Sequence, residues 1–323
     1  MIDPAKLRFI AYGAKDTFTF DHPVEFELVK SYDSPAQSLE AVFPCEQAMN
    51  TELMRLLLFH GEQRLFYGLV DETCLSHTDE GRRLKIAARS VGALLLDNEA
   101  VPKLYTNVYL REIISDHLSP YGFPTVIGVD NPFFSQYQIV KGTSEWEAFS
   151  NFCRSAARGT AYLNDEGDVI CTVNPPRGKT LQISNRREDA IHYASLRVVN
   201  NRYAPVSKFL IRDNNGAYSY SYTNPEASTL NIQRIRCLIP GPEYSEGTEG
   251  GWLDGRLRVR RSMLGKLVIT VTCPGLLEAA FGDRVDLDDG YTTRSGLFVQ
   301  QVRHRLGEGG YTTTLTLLDI NYV

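Results

Sequence analysis

Paired cysteines, metal-ligand spacings and long apolar runs are all missing from this sequence, and each absence removes a class of function. The six cysteines, Cys45, Cys74, Cys153, Cys171, Cys237 and Cys273, stand far apart with no CxxC pair and no histidine at ligand spacing. That pattern excludes a zinc ribbon and a dense disulfide scaffold. It predicts reduced thiols and synthesis in a cytoplasm. No apolar stretch approaches the length of a membrane span, and Met1 to Lys6 lacks the charged and apolar regions of a signal peptide. Cationic excess is missing too: the formal net charge is −5, so tight phosphate binding is not the expected activity.

Catalytic signatures are equally scarce. No GxSxG, HExxH, Walker A or helix-feeding GxGxxG occurs, and no cofactor is expected. The six histidines, His22, His60, His77, His117, His192 and His304, never pair at short spacing with each other or with a cysteine. They read as structural or surface residues, with His117 at a helix end where a cation suits the dipole. Asp283, Asp286, Asp288 and Asp289 cluster without the spaced ligands and terminal Glu of a calcium loop, so a solvated strand and turn is the expectation.

Aromatic residues are what the chain has in quantity. Seventeen Tyr and 15 Phe stand against 4 Met, a bias that suits pleated sheets. Residues 24–29 alternate apolar positions with Glu25 and Glu27. Residues 53–59 and 64–70 flank the turn His60 to Gln63, and residues 83–88 follow the turn Thr78 to Gly81. Several short strands separated by turn residues predict a small barrel or sandwich over residues 1–95.

The period changes over residues 96–185. Val108, Leu110, Ile113, Ile114 and Leu118 suggest an amphipathic helix stopped by Ser119-Pro120-Tyr121-Gly122. Ser144 with Glu147 forms a capping box, and Trp146, Phe149, Phe152, Cys153 and Ala156 make the stripe of a second helix ended by Gly159. A hairpin over 160–173 turns at Asn164-Asp165-Glu166-Gly167. Residues 186–323 read as β again. Strands are expected at 195–199, 207–211 and 217–222 (after the turn Asp213 to Gly216), then at 266–272 and 282–287, with a final hairpin over 296–318. A charged helix is expected over 254–265. The fold class is mainly β with an α+β middle domain, divided 1–95, 96–185 and 186–323.

Two features of the last segment are candidate contact surfaces. Tyr218, Tyr220 and Tyr222 alternate with small residues and form an aromatic stripe, which reads as interface packing rather than a stacking platform for sugars or bases. Arg256, Arg258, Arg260, Arg261 and Lys266 are the local positive patch. It reads either as the wet face of a helix or as a contact with the acidic loop of a neighbouring copy, Glu243, Glu246 and Glu249.

The order of these elements resembles a known family. The segments "AARSVGALLLD" (87–97), "YLREIISDHLSPYGF" (109–123), "QIVKGTSEWEAFSNFCRSAARGTAYLNDEGDVI" (138–170) and "GDRVDLDDGYTTRSGLFVQQVRHRLGEGGYTTTLTL" (282–317) are similar to the baseplate hubs of contractile phage tails. These are the Mu-type hub and late control protein D group. The resemblance implies two tail-tube-like β-barrel domains flanking a helix-plus-strand module, and a non-enzymatic role. It implies a homotrimer whose six barrels form a pseudo-sixfold ring between the tail tube protein and the central spike protein. Tape measure and baseplate wedge proteins are further expected partners, with DNA only in passage through the lumen and no membrane span. A phage virion or phage-tail-like particle is the implied location. From another class, a cell-wall hydrolase or carbohydrate-binding baseplate protein is the alternative.

Overall fold

A computed structural model of the chain describes residues 1–45, 51–79, 81–241 and 247–323, with 247–249 described by backbone alone. The first β unit contains β1 (Leu7–Gly13), β2 (Thr17–Phe20), β3 (Glu25–Ser31), β4 (Ser38–Pro44), β5 (Leu53–His60), β6 (Gln63–Thr78) and β7 (Gly81–Ser90). The strands run in the order β3-β4-β7-β6-β5-β1-β2. Alternation in β4 buries Leu39, Ala41 and Phe43 and leaves Glu40 outside, the one-face burial expected of a half-wet antiparallel sheet. Phe9 meets Phe43 edge to face at 5.0 Å, and Phe20 stacks on Phe43 at 4.8 Å, filling the centre of this core.

A helical module follows: α1 (Ala93–Asp97), β8 (Lys103–Tyr109), α2 (Leu110–Ile113), β9 (Val126–Ile127), β10 (Phe133–Ile139), α3 (Glu145–Phe152), β11 (Thr160–Leu163) and β12 (Val169–Thr172). The capping box forms as expected. Ser144 Oγ accepts from the Glu147 N–H at 3.2 Å, and Glu147 Oε2 accepts from the Ser144 N–H at 2.9 Å. Phe149, Phe152 and Ala148 are fully buried with Tyr137.

Three expectations for this module need correction. Val108 belongs to β8, which pairs antiparallel with β10 in a ladder the sequence did not suggest. Asn107 sits at φ 53°, which breaks the strand alternation and buries Tyr105 and Val108 three residues apart, a spacing that imitates a helix. After one α turn the chain widens into a π turn over Ile114–Leu118, and α3 also ends in one, Cys153–Ala157. The left-handed residue closing that turn is Arg158 at φ 53°, not Gly159. Gly159 is needed for space instead, since a Cβ there would lie 3.0 Å from Cys171 Sγ.

The rest of the chain is β13 (Thr180–Ile183), β14 (Ser195–Asn200), β15 (Lys208–Ile211), β16 (Tyr220–Thr223), α4 (Pro225–Thr229), β17 (Ile235–Leu238), α5 (Gly247–Leu264), β18 (Leu267–Pro274), β19 (Arg284–Asp288), β20 (Thr293–Gly307) and β21 (Gly310–Leu318). A second β unit has the order β14-β18-β21-β20-β19-β13 around Ile269, Val271, Val285, Leu297, Val302, Leu315 and Leu317. Its sheet therefore draws β13 from before residue 186. Residues 206–264 form a separate small layer between β14 and β18: β16-β15-β17 covered by α5.

The two β units are continuous. β20 pairs with β19 through its first half and with β3 through its second, from Gln301↔Ser31 to Leu306↔Phe26. In this stretch Leu297 and Val299 face the second core. Phe298 faces the opposite side and packs on Tyr32 and Tyr162 at the boundary with the helical module. Burial on both faces explains the unbroken apolar run Leu297-Phe298-Val299.

Candidate assembly interface

The six residues singled out from sequence all fall in the small layer or on its helix. Asp213 builds the turn before β16: its carboxylate accepts from the N–H groups of Asn215 and Ala217, both at 2.9 Å, and from Ser219 Oγ at 2.7 Å. The Ser219 hydroxyl and these backbone donors hold the Asp213 carboxyl below the usual carboxylate range. So occupied, residues 217–219 cannot join the strand, and β16 starts at Tyr220 rather than Ala217. Tyr218 is left in the loop, 44% exposed.

Tyr220 and Tyr222 pack against the core of the layer beneath α5, with the Tyr222 and Trp252 rings 5.1 Å apart in a T arrangement. The helix approaches this closely because it is short of side chains where it crosses the sheet. A Cβ on Gly251 would lie 2.5 Å from the Tyr220 hydroxyl, and one on Gly255 would lie 2.8 Å from Ile211 and 3.1 Å from Tyr222. Two of the three stripe tyrosines thus pack within the chain and remain half-buried.

The arginines divide likewise. Arg258 Nε donates to Asp254 Oδ1 at 2.8 Å, one turn back on α5, and neutralises a carboxylate that is buried. Arg260 donates to the Tyr322 carbonyl at 3.1 Å and also to the Val323 oxygen, fastening the last residues of the chain to the helix. Burial, followed by the nearby Arg256 charge, lowers the Arg260 pKa. Arg256 itself is exposed. Of the acidic loop, Glu243 and Glu246 lie outside the described residues, and the Glu249 side chain is not described; α5 begins at Gly247, seven residues before the expected start.

Two exposed strand edges were not anticipated. β6 runs 16 residues, but β5 leaves it after Leu69, and from Asp71 to Thr78 every residue is exposed and paired only with β7. β17 pairs only with β15, and Ile235, Arg236 and Cys237 are exposed along it. The signal in the sequence is weak: after Val70 the run Asp-Glu-Thr-Cys-Leu-Ser-His-Thr loses alternation while keeping strand-forming residues.

A chain of titratable groups runs through the helical module. Lys103 Nζ donates to Asp116 Oδ2 at 2.8 Å and, as the main cause, holds that carboxyl below the usual range. The Tyr105 hydroxyl then donates to the ionised Asp116 at 2.7 Å, so it accepts from His117 Nε2–H at 2.9 Å. His117 Nδ1 is hydrogen-bonded to Glu145 Oε2 at 2.6 Å, and Tyr121 donates to Glu145 Oε1 at 3.2 Å. His117, expected at a helix end, lies in the π turn and is 4% exposed, with Glu145 and Tyr105 at 7% each. A substrate has no access, and the chain of bonds ties β8, the π turn and α3 together.

The aspartates of β19 are occupied by backbone. Asp288 accepts from Gly290 N–H, Asp289 from Tyr291 and Thr292 N–H, and Asp286 from Gly296 N–H. Among the described residues no three His, Cys, Asp or Glu side chains are placed to hold a metal ion. No described helix is long and apolar enough to cross a membrane.

No family model matches this sequence, and no curated protein matches it either. Solved structures do share the fold over nearly the whole chain. A tail protein from Neisseria meningitidis MC58 superposes with a TM-score of 0.77 at 15% identity, covering 97% of this chain and 96% of that one. The 43 kDa tail protein of prophage MuSo2 from Shewanella oneidensis gives 0.76 at 14% identity, covering 98% and 97%. The E. coli c3393 protein, a type VI secretion component with structural similarity to the T4 tail proteins gp27 and gp5, gives 0.57 at 9% identity, covering 91% and 72%. The mainly β architecture of this chain is thus that of known tail proteins.

Proposed function

We propose that this chain is the structural hub of a contractile tail or a related injection particle, without enzymatic activity of its own. Three copies contribute two β units each to a pseudo-sixfold ring that joins the tail tube protein to the central spike protein and leaves a channel. The observation that carries this reading is the seam between β3 and β20, which sets two β units side by side in one sheet beside a helical module. A prophage tail protein has the same overall fold over 98% of this chain, which supports the reading. A closed ring of heterologous contacts needs large side-by-side surfaces rather than a pocket. The sealed Tyr105–His117–Glu145 network supports the structural role for the same reason. Tape measure and wedge proteins are the further partners of this reading, DNA passes only through the lumen, and the location is the baseplate of the particle.

Light scattering on the eluting protein, with negative-stain imaging, tests it. The expected mass is three times the 36.3 kDa chain, with a threefold annulus around a central hole. A monomer at high concentration overturns it. Release of fragments from peptidoglycan by the purified chain would favour a cell-wall hydrolase instead.

A further inference from the structure

Two open strand edges and an uneven distribution of charge point to how copies of this chain meet. The first edge is residues 71–78 of β6, eight exposed residues without a proline, including Leu75 at 52% exposure. The second is β17, where Ile235 is 61% exposed and Cys237 is exposed beside Arg236. Unpaired edges of this kind present rows of N–H and C=O groups that pair readily with another strand, and soluble proteins usually shorten, cover or charge them. Neither edge has a partner strand among the described residues.

Charge separates along the same line. Residues 195–265, which contain β17, carry ten Lys and Arg against six Asp and Glu, although the chain as a whole has a net charge of −5. Residues 1–95, which contain β6, carry fourteen acidic against ten basic residues. At the edges themselves the contrast remains. β6 brings Asp71, Glu72 and the following Asp79. The cations of its ribbon, Arg82, Arg83 and Lys85, lie one strand back on β7, with Lys85 paired to Glu40 at 2.7 Å. β17 brings Arg236, and Arg234 just before it lies over the Tyr203 ring at 4.0 Å. Arg89 takes up part of the Asp71 charge at 2.7 Å, which leaves Glu72 and Asp79 as the acids available at the open edge.

We infer that the outer edge of β6 in one copy pairs with the outer edge of β17 in the next. The contact is heterologous, since one surface meets a different one, and it can repeat around a ring. It rests on the association of copies proposed above and names the strands that carry it.

The chain supplies its own probes, because one exposed cysteine lies on each edge, Cys74 on β6 and Cys237 on β17. A mixture of ¹⁴N- and ¹⁵N-labelled full-length protein, reassembled and treated with a short bismaleimide, is expected to give a peptide pair joining Cys74 of one isotope to Cys237 of the other. Cys74→Ser and Cys237→Ser, each changing a surface thiol, are each expected to abolish that product while leaving the oligomer intact. Arg234→Glu with Arg236→Glu is expected to weaken association by about tenfold or more at low salt, and Glu72→Lys with Asp79→Lys to recover part of it. An oligomer that gives only Cys74–Cys74 or Cys237–Cys237 links overturns the strand assignment while the ring reading stands. So does one that gives no link although monofunctional maleimide labels both thiols. A monomer under all conditions overturns both.

Discussion

Lys30 and Asp165 meet at 3.0 Å across the boundary between the first β unit and the helical module, with the Lys30 side chain only 8% exposed. Lys30 projects from β3, and Asp165 sits in the turn between β11 and β12, where Gln37 also donates to it at 3.0 Å. A turn residue chosen for backbone reasons thus also neutralises a buried ammonium group.

Asp165→Ala removes that countercharge. Because Asp165 is 34% exposed and water can replace part of it, the expected loss is on the order of 2 kcal/mol rather than the full penalty of a buried unpaired charge. Lys30→Met keeps the stem and removes the charge, so it should cost less. Urea midpoints of the two variants check this; equal losses would argue against the ion pair as the cause.

His304 gives the chain an acid-side weakness. Burial, then the Lys30 charge, pushes its pKa down from 6.5 to about 4, and its Nδ1 lies 3.1 Å from Thr313 Oγ1. The neutral ring suits the folded state. Its contribution is therefore complete above the ordinary value and is lost as pH falls through about 4, an effect on the order of 3 kcal/mol. Melting temperature followed from pH 6.5 to pH 4 should fall less steeply in His304→Gln than in the parent. Parallel slopes would assign the acid sensitivity elsewhere.

Glu145→Ala leaves His117 and the Tyr121 hydroxyl facing an empty site inside the helical module. The expected destabilisation is on the order of 3 kcal/mol, whereas Tyr121→Phe, which removes one longer hydrogen bond, should cost about 1 kcal/mol. Hydrogen exchange over 103–121 and 145–157 reads the effect locally. Unchanged protection there would mean that the network does not hold the module together.

Gly255→Leu forces a side chain into the space between α5 and the sheet, against Ile211 and Tyr222. Relief requires the helix to lift, at a cost of roughly 1–3 kcal/mol. Faster proteolysis within 247–264, with the first β unit still protected, is the expected signature.

Local chemistry made much of this fold readable. β3, β7, β21 and the capped helix α3 follow from period-two alternation and from Ser144 with Glu147, because neighbours along the chain decide them. The pairing of β8 with β10 escaped because the left-handed Asn107 gives a strand the burial spacing of a helix. The contact residues were harder still. Tyr220 and Tyr222 look like surface aromatics until α5, brought close by Gly251 and Gly255, covers them. Arg260 is exposed as its sequence suggests, yet its partners Tyr322 and Val323 come from more than sixty positions away. The open edge of β6 was hidden for another reason: it depends on where β5 departs and not on any residue of β6 itself.

The antiparallel ladder between Phe26–Ser31 and Gln301–Leu306 also has a mechanical meaning. Sliding one β unit past the other along the strand direction loads the rungs of that ladder together, whereas peeling the strands apart loads them in turn. A chain joined in this way behaves as a stiff plate rather than a hinge. Any load that slides one half along the other is carried by six residue pairs at once, from Gln301↔Ser31 to Leu306↔Phe26.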